Sequence, residues 1–245
     1  MPLAISTVLA LSAPAMAQDF NAAPPNAPGQ QSAFAGQTRA PVIADDLRLE
    51  QQVIAKGLVH PWGMEQLPDG RWFVTERPGR LRQIAENGTV SEPIAGLPEV
   101  DALAPDGSLW TAEQGPRGGD ELNRPQAGLN HGWPVITYGR DYSGAPIGEG
   151  LTAREGMEQP VYYWDPVIAP GGMAFYEGAL FPDWRGDLLI GGLVRLTLED
   201  GRVTGQARYL QGQARICDVD VAQDGAVMIL TDAEDGALIR LTPAR

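Results

Sequence analysis

Cysteine is almost missing from this chain. Cys217 stands alone among 245 residues, so no disulfide can form within it, and no zinc-type partners surround it at metal-binding spacing. Basic residues are scarce too: 18 Lys and Arg stand against 31 Asp and Glu, a formal charge of −13. That balance argues against nucleic acid and against an anionic membrane surface as partners. Beyond the first residues no apolar run is long enough to span a bilayer, so membrane insertion is not expected. The sequence has no phosphate loop, no Gly-x-Gly-x-x-Gly after a strand and no Gly-x-Ser-x-Gly elbow. Nucleotide cofactors and serine-hydrolase chemistry are therefore not indicated.

Turn residues are plentiful, with 30 glycines and 21 prolines. Such turn density between aromatic and β-branched runs points to many short strands. At the N-terminus, Leu3 to Leu11 is apolar and Ala15-Met16-Ala17 is a small-x-small cleavage site. Residues 1–17 are read as a secretory signal peptide, which puts the mature protein in the periplasm. Residues 18–44 are rich in Ala, Pro, Gln, Asn and Gly. They are expected to form a disordered linker outside the core. Residues 45–245 are expected to form the folded domain.

Within that domain a motif recurs. Pro68-Asp-Gly-Arg-Trp-Phe-Val-Thr-Glu-Arg77 is echoed by Pro105-Asp-Gly-Ser-Leu-Trp-Thr-Ala-Glu-Gln114 and by Gln223-Asp-Gly-Ala-Val-Met-Ile-Leu-Thr-Asp232. Each is a tight Asp-Gly turn followed by an alternating apolar run, the mark of a hairpin. His60-Pro-Trp-Gly-Met64 is echoed by Ala169-Pro-Gly-Gly-Met173, and Phe181-Pro-Asp-Trp-Arg-Gly-Asp187 is a degenerate form of the turn. A rough phase of about forty residues predicts an all-β fold of the β-propeller kind. One repeat is damaged. Leu58 to Leu67 leads into the first turn and Arg215 to Ala222 into the last, but only Val100 to Ala104 precedes Pro105. A blade cannot build its inner strand from so little, so an internal excision near residues 100–104 is expected.

The densest chemistry lies in Thr111-Ala-Glu-Gln-Gly-Pro-Arg-Gly-Gly-Asp-Glu-Leu-Asn123 and Asn130-His-Gly-Trp-Pro-Val-Ile-Thr-Tyr-Gly-Arg-Asp-Tyr142. Carboxylates, Gly-Pro and Gly-Gly carbonyls and planar aromatics crowd together there. A hard cation wants such oxygens, and a flat anionic cofactor wants an aromatic neighbour. These stretches, with His60-Pro-Trp-Gly-Met64, Val74-Thr-Glu-Arg-Pro-Gly-Arg-Leu81, Met157-Glu-Gln-Pro-Val-Tyr-Tyr-Trp-Asp-Pro166, Gly171-Gly-Met-Ala-Phe175 and Leu188-Leu-Ile-Gly-Gly-Leu193, resemble the soluble PQQ-dependent aldose sugar dehydrogenases of the glucose/sorbosone dehydrogenase family. The resemblance implies a six-bladed propeller, here with about two blades missing. It also implies PQQ and Ca2+ as cofactors, an aldose sugar as substrate and an external electron acceptor as partner.

By position, the resemblance makes Gly115 and Pro116 the backbone-carbonyl ligands of the cofactor's calcium. It makes Glu121, His131 (through its main-chain oxygen) and Asp141 a structural calcium site. It places Tyr142 and Arg215 against PQQ. Several family parts are lacking: the histidine that serves as general base, the Gly-Gln-Gly-Gly-Leu and Gly-His-Arg-Asn-Pro segments, and the lysine after Gly191-Gly192-Leu193. In Arg215-Ile-Cys-Asp218 the family's second arginine is Cys217, and a neutral thiol cannot pair a carboxylate. No catalytic residue is assigned. The expected function is aldose oxidation to a lactone, impaired or lost. The alternative is a non-catalytic, calcium-stabilised propeller fragment or binding module. Open blade edges lead us to expect self-association into a homo-oligomer. The run Arg77, Arg80, Arg82 is read as a solvated face.

Overall fold

The computed structural model describes residues 20–43, 47–78, 80–93, 108–126 and 128–244. The signal segment, the turn at Asp106-Gly107 and the shortfall at Val100 to Ala104 lie outside the described residues. In chain order the strands are β1 (Leu49–Leu58), β2 (Pro61–Gln66), β3 (Trp72–Glu76), β4 (Arg80–Ile84), β5 (Thr111–Glu113), β6 (Asp120–Asn123), β7 (Tyr162–Trp164), β8 (Met173–Phe175), β9 (Leu188–Ile190), β10 (Val194–Glu199), β11 (Arg202–Arg208), β12 (Ile216–Val221), β13 (Val227–Thr231) and β14 (Gly236–Pro243). They pair into four antiparallel sheets: β2-β3-β4 (sheet I), β5-β6-β7 (sheet II), β8-β9-β10-β11 (sheet III) and β12-β13-β14-β1 (sheet IV). Among the described residues the only helices are two short 3-10 turns. The all-β expectation holds.

Turn chemistry explains the hairpins. Between β2 and β3, Gly70 N–H donates to Leu67 O at 2.9 Å with φ +86° at Gly70. Between β12 and β13, Gly225 N–H donates to Ala222 O at 2.7 Å with φ +87°. Both are the Asp-Gly turns read from the sequence, and glycine alone enters that region freely. Sheet packing explains the apolar runs. Every residue of β13 is buried, because Val227 and Ile229 face one core cluster while Met228 and Leu230 face another. A strand covered on both faces is apolar throughout rather than alternating. Three buried clusters join sheet II to III, III to IV and IV to I. Each full aliphatic burial contributes about 2 kcal/mol.

The inner strands β2 and β12 and the entry to β8 are joined by hydrogen bonds. Met64 N–H donates to Asp218 Oδ2 at 2.6 Å, and Gly172 N–H to Cys217 O at 3.0 Å. A Cβ on Gly172 would fall 1.5 Å from Asp218 Oδ1. We expect Gly172→Ala to cost about 3 kcal/mol by forcing these strands apart, read from the midpoint of denaturant unfolding.

Two expectations need correcting. Residues 20–43 are not a linker lying apart from the core. Ala27, Gln37 and Ala40 are buried, and Ala40 belongs to the cluster between sheets II and III. The segment pairs with exposed sheet edges: Tyr163 N–H donates to Gln37 O at 2.9 Å, Ile43 N–H to Gln206 O at 2.8 Å and Gln206 N–H to Pro41 O at 2.9 Å. A polar, proline-rich composition suits this role, since an edge strap satisfies backbone groups rather than filling a core. The arginine run is not a free solvated face either. Arg80 and Arg82 reach the buried Glu76 at 2.8 and 3.5 Å, and Arg77 reaches Asp232 at 3.5 Å. Buried carboxylates need such partners.

Candidate functional site

In an antiparallel sheet the residue before the first strand and the loop between the second and third lie at one end. His60 precedes β2, Ala169–Gly172 precede β8 and Arg215 precedes β12, while Arg77, Gly191 and Asp232 lie in second-to-third-strand loops. The echoed motifs share a backbone quirk there: His60 and Ala169 both have positive φ, +46° and +51°. Non-glycine residues adopt that conformation only when their surroundings hold them. His60 is held by its N–H to Ala233 O at 2.9 Å and by its carbonyl, which accepts from Arg77 N–H at 3.0 Å.

Asp232 gathers this part of the end. Its Oδ1 lies 2.8 Å from His60 Nδ1, and its Oδ2 lies 3.5 Å from Arg77 and 3.4 Å from Arg215. Burial works against its charge, but the His60 hydrogen bond and the two guanidiniums outweigh that and hold its carboxyl below the usual range. Arg77 also lies over the ring of the half-exposed Trp62, 4.7 Å from its centroid. Arg215 is therefore solvent-facing but tethered. Cys217 is turned away from this cluster. Its thiol donates to Pro61 O at 2.8 Å, and burial pushes it up to about 12.

The β5–β6 loop carrying Gly115 and Pro116 is latched by Asp120. Oδ1 accepts from Gly115 N–H at 2.8 Å, and Oδ2 accepts from Ile168 and Ala169 N–H, both at 2.7 Å. One buried carboxylate thus ties sheet II to the entry of sheet III. Burial raises its pKa, and the three N–H donors offset part of that rise. A Cβ on Gly115 would stand 2.3 Å from Gly118 O, so the loop closes on itself only with glycine. Arg117 and Arg140 exchange main-chain hydrogen bonds at 3.1 and 2.9 Å. That bridge sets Pro116 beside the segment bearing Asp141 and Tyr142. Asp141 is exposed and accepts from Ser143 N–H at 2.8 Å. Tyr142 is 77% exposed, free to lie against a planar ligand.

Glu121 sits opposite Glu113 in the β5–β6 register. Asn123 Nδ2 donates to both carboxylates, at 3.3 and 3.0 Å, and its own Oδ1 is buried with no donor. Burial, together with Glu113 and Asp120, pushes Glu121 up to about 7 against the hydrogen bond from Asn123. Two carboxylates and an orphaned amide oxygen fit a hard cation. Both ring nitrogens of His131 are buried without a partner. Among the described residues no three His, Cys, Asp or Glu side chains converge on one point. Glu121, His131 and Asp141 would therefore hold calcium only with main-chain or amide oxygens.

The structure thus brings Gly115–Pro116 to Asp141–Tyr142, and Arg215 to Asp232. Sequence reasoning missed Asp120, Asp232, Glu113 and Asn123. A signal for Asp232 existed: it ends the third Asp-Gly echo at the position held by Arg77 in the first and Gln114 in the second. All three reach across this end, Gln114 Nε2 donating to Pro170 O at 2.9 Å.

Radially packed antiparallel sheets with polar loops gathered at one end define a β-propeller. The glucose/sorbosone dehydrogenase family model matches residues 58–104 and 101–240, and the chain belongs to that family. The two matched stretches meet at residues 101–104, where the sequence shows its shortfall. Aldose sugar dehydrogenase YliI of Escherichia coli (strain K12) is 39% identical over 187 residues, covering 73% of this chain and 48% of the relative. Protein slr1608 of Synechocystis is 36% identical over 186 residues, covering 66% and 45%. The chain spans about half the length of the curated relatives it matches. A crystal structure of a glucose dehydrogenase superposes with TM-score 0.71 at 27% identity, covering 78% of this chain and 98% of that one. A PQQ-bound aldose sugar dehydrogenase from Streptomyces coelicolor, at 15% identity and TM-score 0.51 over 82% of this chain and 100% of that one, shares the fold.

Proposed function

We propose that this chain binds PQQ and calcium at the loop end of its propeller and oxidises aldose sugars to lactones, slowly, in the periplasm. The observation that carries this reading is the Asp120 latch. It fixes the Gly115–Pro116 loop and, through the Arg117–Arg140 bridge, sets it beside Tyr142. Gly115 and Pro116 would offer carbonyl oxygens to the cofactor's calcium, and Glu121, His131 and Asp141 oxygens to a second ion. Arg215 would pair a carboxylate of the quinone, with Tyr142 against its plane. When bound, PQQ would supply the hydride acceptor, calcium would supply the Lewis acid that polarises it, and an external acceptor would take up the electrons.

The chain's own residues limit the rate. Neither His60, which is pinned by Asp232 and by its own main chain at the start of β2, nor His131, whose ring nitrogens are buried, is proposed as the base. Loss of a general base costs about a hundred- to ten-thousand-fold. Among the described residues no helix is long and apolar enough to cross a membrane.

The test is absorbance titration of the mature protein with PQQ, with and without calcium, followed by dye-coupled turnover on a panel of sugars. We expect calcium-dependent binding that chelation reverses, with turnover reduced by the factor above. Binding without any turnover would make the chain a non-catalytic binding module. A folded protein that binds no PQQ would end the reading.

A further inference from the structure

A second polar pocket lies away from the loop end, between the N-terminal strap and the edges of sheets II and III. Phe20, Asn21, Thr38 and Arg39 line it from the strap, and Tyr162, Asp165 and Arg208 from the sheets. The pocket is partly open to solvent and has room inside for about one water-sized group.

Its charges do not balance internally. The Arg208 guanidinium lies over the Phe20 ring, 4.3 Å from its centroid, and its Nε is buried with no acceptor. Arg39 spends its donors on carbonyls: Asn21 O, Ala23 O at 3.0 Å and Asp165 O at 3.1 Å. Asp165 is the one carboxylate in the lining, and its oxygens are taken by Asn26 and Ala27 N–H. Among the described residues neither arginine has a carboxylate at ion-pair distance. Arg39 is exposed at the rim, but the half-buried Arg208 guanidinium cannot shed its proton to escape burial, and a buried charge requires a partner.

Two hydroxyls with protons to give line the same pocket. Thr38 Oγ1 is buried and unpartnered. Tyr162 Oη accepts from Ala40 N–H at 2.9 Å, leaving its own proton to give. Two cations and two hydroxyl donors around a water-sized void are the chemistry of an anion site. Room for little more than one water favours a monatomic ion over a sulfate or a phosphate.

We propose that this pocket binds a halide ion, chloride under ordinary conditions, which locks the N-terminal strap onto β7 and β11. Thr38 of the strap and Tyr162 and Arg208 of the sheets hold the ion, and Arg39 at the rim adds its charge. The site is independent of PQQ binding and of catalysis.

The test uses the full mature chain. 35Cl NMR line width is measured on wild type, Arg208→Gln and Thr38→Val, and melting is compared in sodium chloride and sodium gluconate at equal ionic strength. We expect wild type to broaden the chloride line saturably and to melt higher in chloride. Arg208→Gln should abolish both effects and Thr38→Val should weaken binding at least tenfold. Amide exchange over residues 20–43 should slow in chloride. If Arg208→Gln does not fold, Thr38→Val carries the comparison. Wild type that neither broadens the line nor distinguishes chloride from gluconate would overturn the site and leave the void to a water. So would variants that respond as wild type does.

Discussion

Metal-free protein should lose stability as the pH rises from about 4 to about 7, the reverse of ordinary acid denaturation. The cause is two carboxyls that fold into places hostile to charge. Asp218 is buried between β2, β12 and Gly172, accepting from Met64 and Val219 N–H at 2.6 and 2.9 Å. Burial pushes it from 3.8 to about 7 despite those bonds. Glu121 rises from 4.5 to about 7 for the same first reason. Between the unfolded and folded values the native chain keeps a proton that the unfolded chain releases. The stabilisation is therefore present below about pH 4 and lost as the pH climbs to about 7. At about 1.4 kcal/mol per pH unit, the pair carries several kcal/mol. Asp187 is also pushed up, to about 6, but Arg195 Nε lies 3.0 Å from it; that ion pair favours the charged form, so Asp187 contributes less. Asp218→Asn should flatten the profile and raise the melting temperature at pH 8. Circular-dichroism melts in chelator across this range would decide it, and a wild-type curve that is flat or rising would refute the account.

The second large effect is Asp120→Ala. Three main-chain N–H groups would lose their acceptor in a buried site, at about 1–3 kcal/mol each. The desolvation already endured by the charge offsets part of that, leaving a net loss of about 4 kcal/mol. The damage should be local. Exchange protection should vanish at Gly115, Ile168 and Ala169 and survive along β13, which packs in sheet IV. PQQ and calcium binding should go with the loop. Asp120→Asn keeps the shape and should lose about half as much, because its amide turns a donor toward one of the N–H groups. Unchanged protection at all three amides in Asp120→Ala would show that the latch is not what holds the loop.

Local chemistry made much of this legible beforehand. Asp69-Gly70 and Asp224-Gly225 announce their hairpins because the turn demands φ > 0 within a few residues. The alternation in β3 and the apolar run in β13 report one covered face and two. The Gly-Pro loop and its aromatic neighbour stood out by composition. What stayed hidden depends on residues distant in sequence. Asp232 became a hub only when β3, β12 and β13 converged, and the strap's role appeared only against β7 and β11. A polar, proline-rich segment reads alike whether it wanders or caps an edge. Arg80 and Arg82 looked solvated because the buried Glu76 that they serve could not be seen as buried.

The pairing of β1 with β14, from Leu49 opposite Pro243 to Leu58 opposite Gly236, bears on how the chain is made. Strand β1 cannot find its partner until β14 has been synthesised. Until then Leu49, Ala55 and Leu58, all buried in the finished fold, lack the cover that sheet IV gives them. Contacts so remote in sequence slow folding and lengthen exposure to aggregation. Sheet IV therefore closes late, as a clasp that joins two distant stretches of chain after the sheets between them have formed.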